Sequence, residues 1–174
     1  VAGMYPASIE KLVSNDLALA PCTGAASVVM INATGLDLHG LEVVMIGHSA
    51  IVGKPAAFML MAEGATVTVC HHMTRSVAAH SRRADAILVA VGIPNFITPE
   101  MVRPGAAVID IGINQIDDGA GGTRIVGDVD TEAVKEVASW VTPVPGGVGP
   151  VTVAILMRNA LTALRRQRAL GWTA

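Results

Sequence analysis

The sequence predicts an α/β fold, a parallel sheet with helices on both faces, and three observations lead there. Short apolar runs at residues 43–46, 66–70, 86–91 and 106–111 alternate with stretches of helical character. Three of those runs end in glycine, at Gly47, Gly92 and Gly112. Hydrophobic residues make up 52% of the 174 positions and charged residues only 15%, the balance of a thickly buried sheet rather than of a disordered chain. Strands alternating with helices close into a parallel sheet by right-handed crossovers.

The elements follow in order. Residues 1–21 read as loop, punctuated by Gly3, Pro6 and Pro21. Thr23 is placed to cap a helix running to about residue 33, with Gly35 as its stop. Val43-Val44-Met45-Ile46 is the first strand, followed by a helix over 55–62 and Gly64. The β-branched run Thr66-Val67-Thr68-Val69-Cys70 is the second strand, with a helix over 76–83 after it. Residues 86–91 and 106–111 make the third and fourth strands. The glycine-rich stretch 117–123 is a turn cluster, 124–126 the arm of a small hairpin, and 131–137 a helix. A proline and glycine loop starts at Val141 and leads into a last helix over 151–170. Arginines gather near its C-terminal end, where cations offset the partial negative charge of the terminus.

Composition excludes several function classes. The net charge of -2, with no basic block, offers nucleic acid no electrostatic footprint. Mean hydropathy is positive, but every apolar run is too short to span a bilayer, and the opening residues do not read as a secretory leader. Cys22 and Cys70 have neither disulfide nor metal spacing and read as reduced thiols, so a cytoplasmic protein is expected. The chain opens Val1-Ala2-Gly3 without methionine, and the expectation is a piece that starts within a longer protein.

Two segments carry the chemistry. Gly47-His48-Ser49-Ala50-Ile51-Val52-Gly53 lies between a strand and a helix, where backbone N–H groups and a helix N-terminus face a phosphate. Ser49 stands at the middle glycine of the usual G-x-G-x-x-G, so on its own the segment reads equally as a tight turn. Thr142-Pro143-Val144-Pro145-Gly146-Gly147-Val148-Gly149-Pro150-Val151-Thr152 fixes an irregular backbone rich in bare polar groups. It reads as a ligand loop or as a structural linker into the last helix. A metal site from Cys70, His71 and His72 is not expected, because neighbours on an extended strand point to opposite faces. His71 reads as bonded to backbone, His80 as solvated and Arg75 as a surface charge.

In order, these and further motifs resemble methylenetetrahydrofolate dehydrogenase/cyclohydrolase along the whole chain. Pro21-Cys22-Thr23 is similar to that family's P-C-T-P entry to a long helix, with Gly24 in place of its second proline. Gly47-His48-Ser49 through Gly53-Lys54-Pro55 is similar to its G-R-S-x-I-V-G-x-P loop. Ala65-Thr66-Val67-Thr68-Val69-Cys70-His71, Met101-Val102-Arg103-Pro104-Gly105-Ala106, Asp110-Ile111-Gly112-Ile113-Asn114 and Val126-Gly127-Asp128-Val129 complete the set with the proline–glycine stretch.

The resemblance implies a Rossmann-like NAD(P)-binding domain at residues 22–157. Residues 1–21 would be a remnant of the interdomain segment. Residues 158–174 would be a helix end packing toward a catalytic N-terminal domain absent from this chain. It implies hydride transfer from methylene-tetrahydrofolate to NADP, or to NAD, then hydrolysis to formyl-tetrahydrofolate. Family members pair as homodimers through this domain. Their acid–base lysine sits in a Y-x-x-x-K motif; the one tyrosine here, Tyr5, has Ile9 at that spacing, so no catalytic residue is expected in this chain. By the same likeness, Gly47, His48 and Ser49 contact cofactor phosphates, and His72 lies beside the adenosine 2′-phosphate. Val91 and Gly92 line the cleft, and Gly112, Ile113, Asn114 and Thr152 serve the nicotinamide end. Gly146, Gly147 and Pro150 shape the folate pocket, and no metal is implied. His48 stands where the family carries arginine, and Ala2 where it carries a pterin-holding aspartate. A diverged nucleotide-binding module without folate chemistry is therefore the alternative expectation.

Overall fold

A computed structural model describes residues 2–119 and 121–170. Val1 of the expected opening segment, Ala120 of the turn cluster and residues 171–174 of the last segment lie outside the described residues. The chain runs α1 (Pro6–Val13), α2 (Cys22–Asn32), β1 (Glu42–Ile46), α3 (Gly53–Ala62), β2 (Thr66–Cys70), α4 (Val77–Ser81) and β3 (Ala86–Val89). It continues with β4 (Ala107–Asp110), β5 (Asn114–Asp117), β6 (Thr123–Val126), α5 (Thr131–Val134), β7 (Trp140–Val141) and α6 (Val148–Ala169).

Five strands form one parallel sheet in the order β2-β1-β3-β4-β7. Its strands show why unbroken apolar runs were needed. Val43, Met45, Ala86, Leu88, Ala107 and Ile109 enter one core with residues of α1, α2, α3 and α6. Val44, Ile46, Ile87, Val89 and Val108 enter a second core with Ala84, Val102 and Val134. Successive side chains point to opposite faces of a strand, and here both faces are covered. The chain passes from β1 outward to β2 and then returns to the other side of β1 as β3. That reversal creates a crevice outside the carboxyl ends of β1 and β3, the place where open α/β sheets take ligands.

Several expectations change. Residues 6–13 are helical, because Pro6 opens α1 at a first-turn position where its missing N–H costs nothing. Thr23 caps nothing; Pro21 is the N-cap of α2, and the Thr23 carbonyl instead accepts from Ser27 Oγ at 2.8 Å. Asn114-Gln115-Ile116-Asp117 pairs antiparallel with β6 as a two-stranded arm, and Trp140–Val141 forms the short edge strand β7 where a loop was expected. The last helix begins at Val148, so Pro150 belongs to its first turn. α6 runs unbroken through residues 157 and 158, so residues 158–169 are the end of that helix, as expected from its predicted span. Leu12 and Ala20, from the expected opening remnant, are buried in the first core.

Candidate functional site

The crevice is built by close backbone approach. Gly47 leaves β1 with φ of 109° and donates its N–H to the Cys70 carbonyl at 2.8 Å. A methyl group at Gly47 would overlap the Ala90 carbonyl, and one at Gly53 would overlap the Gly47 carbonyl. Only glycine fits either place, and Gly47 also needs the positive φ. Ser49 closes the turn: its Oγ accepts from the N–H groups of Val52 at 3.2 Å and Gly53 at 3.4 Å. α3 follows at once, with no side-chain cap.

Two concavities open at the carboxyl edge of the sheet. One, of about 530 Å³, is walled by Gly47, His48 and Ser49, by His71 and His72 after β2, and by Val91 and Ile93 after β3. The other, of about 460 Å³, is walled by Asp110, Gly112 and Ile113 after β4 and by 143–150 with Thr152. Gly47, His48, Ser49, His72 and Val91 thus meet in the first, and Gly112, Ile113, Gly146, Gly147, Pro150 and Thr152 in the second. Gly92 sits between Val91 and Ile93 and presents its N–H to Asp128 at 2.9 Å. Asn114 is the exception. It lies on β5, and its Nδ2 donates to Asp128 Oδ1 at 2.8 Å, so its amide supports the wall instead of facing the cavity. Thr152 turns its hydroxyl back onto the Val148 carbonyl at 3.0 Å.

The structure adds two residues that the motif reading left without a role. Asp110 and Asp128 are both buried. Asp128 accepts from the N–H groups of Val91 at 2.6 Å, Gly92 at 2.9 Å and Ile93 at 3.1 Å, as well as from Asn114. It thereby ties the β3 exit, a wall of one concavity, to the strand beginning beside Ile113, a wall of the other. Asp110 accepts from Gly112 N–H at 2.9 Å and from Asp128 and Val129 N–H, each at 3.0 Å. Burial pushes the Asp110 carboxyl up, the three amides oppose that shift, and the Asp128 charge adds to it. Buried carboxylates need such donors. The signal in the sequence was an acidic residue between apolar neighbours in Val126-Gly127-Asp128-Val129.

With this geometry in place, comparison with known proteins decides the family. The family model for the tetrahydrofolate dehydrogenase/cyclohydrolase NAD(P)-binding domain matches residues 21–168. The chain belongs to that family. It is 76% identical over 172 residues to the bifunctional protein FolD of Rhodobacter capsulatus, covering 99% of this chain and 57% of that relative. The Campylobacter jejuni bifunctional enzyme FolD superposes with a TM-score of 0.87 at 41% identity, covering 95% of this chain and 58% of the other. The Trypanosoma brucei methylenetetrahydrofolate dehydrogenase-cyclohydrolase, solved with NADP cofactor and an inhibitor, gives 0.90 at 37% identity, with the same coverage. The chain thus spans little more than half the length of these relatives. As an NAD(P)-binding domain of this family, it carries the expected Rossmann-like parallel sheet. No described helix is long and apolar enough to cross a membrane.

Proposed function

We propose that this chain is the cofactor-holding half of a methylenetetrahydrofolate dehydrogenase/cyclohydrolase, with NADP as its dinucleotide. One observation carries the reading: the Gly47–Gly53 turn is so tight that neither glycine admits a methyl group, and it stands at the reversal of the sheet. Gly47, His48 and Ser49 hold the phosphates and His72 faces the adenosine end. Val91 and Gly92 line the cleft between. Gly112, Ile113 and Thr152 receive the nicotinamide, and Gly146, Gly147 and Pro150 border the folate. Asn114 acts indirectly, by holding Asp128. The bound dinucleotide supplies the hydride acceptor; this chain's residues orient it and exclude water around it.

Acid–base work falls to a domain outside this chain. Tyr5 is exposed, Lys11 pairs with Asp16 at 3.8 Å, Lys135 with Glu132 at 2.6 Å, and Lys54 is exposed in the first turn of α3. None of these lines either concavity. Val153, Met157 and Leu161 leave an apolar row of α6 exposed, which suits packing against that domain. Homodimers through this domain and a cytoplasmic setting belong to the same proposal. β2 supports pairing, as an edge strand with Val69 exposed.

Hydrogen–deuterium exchange with and without NADP tests the placement. Protection is expected over 47–53, 71–77, 91–93 and 110–113; protection confined to other segments would refute it. Ala2 favours a second reading, a nucleotide-binding module without folate chemistry. A methyl group accepts no hydrogen bond from a pterin, and Ala2 borders an apolar groove with Met4, Ile51 and Leu156. Folate binding by the cofactor-loaded protein separates the two readings.

A further inference from the structure

We propose that His48, His71 and His72 form a binding site for a divalent first-row transition metal ion of the zinc class. One ring nitrogen from each histidine lies within 4.8 Å of the other two. The rings of His48 and His71 meet edge to face with centroids 4.7 Å apart, and His72 lies 6.3 Å from His48 and 5.9 Å from His71.

Sheet register brings the three together. Ile46 of β1 is paired with Cys70 of β2, so the residues just past these partners leave the sheet side by side. The expectation against a metal here rested on Cys70, His71 and His72 as neighbours on an extended strand. Cys70 does turn inward, into the second core. The strand ends there, however. Thr74 N–H closes a turn onto the His71 carbonyl at 2.8 Å, which breaks the alternation and leaves both imidazoles beside His48.

The donor set fits the ion. Three imidazoles are an open set of the kind zinc takes in catalytic sites, with a fourth position left to solvent or another ligand. Zinc–nitrogen bonds of about 2.0–2.1 Å in a tetrahedron set nitrogens about 3.3 Å apart. Closing from 4.8 Å needs only side-chain rotation, and His48 and His72 are exposed. One hydrogen bond must be exchanged: His71 Nδ1 accepts from Met73 N–H at 3.1 Å. Ligation through Nδ1 replaces that amide, and ligation through Nε2 moves the ring proton onto Nδ1. Met73 is exposed, so water takes its N–H in either case. All three histidines line the same concavity.

The test is a titration of the 174-residue chain with Zn²⁺ against a chromogenic chelator, with no dinucleotide present, so failure of the dinucleotide reading leaves it untouched. One ion per chain is expected. His48→Ala and His72→Ala should each weaken binding by at least about tenfold, the loss that outer-shell partners alone can cause. His39→Ala should change nothing: His39 is exposed and paired with Asp37 at 2.9 Å, so it serves as the control for adventitious surface binding. Co²⁺ in place of Zn²⁺ should give visible d–d bands that the His72→Ala chain lacks, a readout independent of affinity. No saturable binding would overturn the proposal, as would equal binding by the chain lacking all three imidazoles.

Discussion

Replacing Asp128 by alanine should loosen the crevice from within. The carboxylate is fully buried and takes three backbone N–H groups of residues 91–93 and the Asn114 amide. Hydrogen bonds to a charged acceptor are each worth about 1.5–3 kcal/mol when nothing replaces them. Gly92 and Ile93 are exposed and Val91 is half-buried, so water reaches the freed amides and lowers the net loss to about 1 kcal/mol for each of the three. The sum, about 3 kcal/mol, corresponds to a fall in Tm of about 6–12 °C for a domain of this size. Asp128→Asn keeps one acceptor oxygen, which serves two donors and leaves the amide NH₂ facing the other two. About half the loss is expected. Thermal and urea denaturation of the three chains measure this directly, with an unchanged m-value marking a change in stability alone. A fall in Tm of less than about 2 °C for Asp128→Ala would refute the claim that this carboxylate holds the β3 exit.

Other substitutions probe the remaining parts. Gly47→Ala should destabilise by at least ~2 kcal/mol, because the methyl overlaps the Ala90 carbonyl at a φ of 109°; a neutral effect in denaturation would contradict the close approach. Ser49→Trp should abolish dinucleotide binding by filling the turn, and unchanged affinity in fluorescence titration would move the site elsewhere. His48→Arg should raise the NADP-to-NAD affinity ratio, since guanidinium is a permanent forked cation; an unmoved ratio counts against His48 at the 2′-phosphate. The Asp110 carboxyl is raised by burial. Its stabilising contribution is therefore complete below the ordinary aspartate value of about 3.9 and is lost as pH rises through the raised one. Relative to Asp110→Asn, the native chain should lose stability over that rise, and a gain would reverse the sign.

β1, β3 and β4 were legible because each is an apolar run buried on both faces, and β2, an edge strand, was legible from its β-branched residues. β7, two residues long, and β5, which reads Asn-Gln-Ile-Asp, leave no such signature. α1 was hidden by Pro6, a breaker inside a helix but a natural opener at its first turn. At the site, the turn at Gly47, His48 and Ser49 was legible from local order, since a strand, a glycine turn and a helix are consecutive in sequence, whereas its ligand role came from the family resemblance. Asp128 was not, because its backbone donors lie 35 to 37 residues upstream and only the fold brings them to it. The meeting of His48 with His71 and His72 was hidden for the same reason: it depends on the pairing of Ile46 with Cys70.

Calorimetric titration of this chain with NADP and NAD side by side tests the central claim most directly. Saturable binding at one site per chain is predicted, tighter for NADP, and lost in Ser49→Trp. No binding of either dinucleotide, or equal binding by Ser49→Trp, would contradict it.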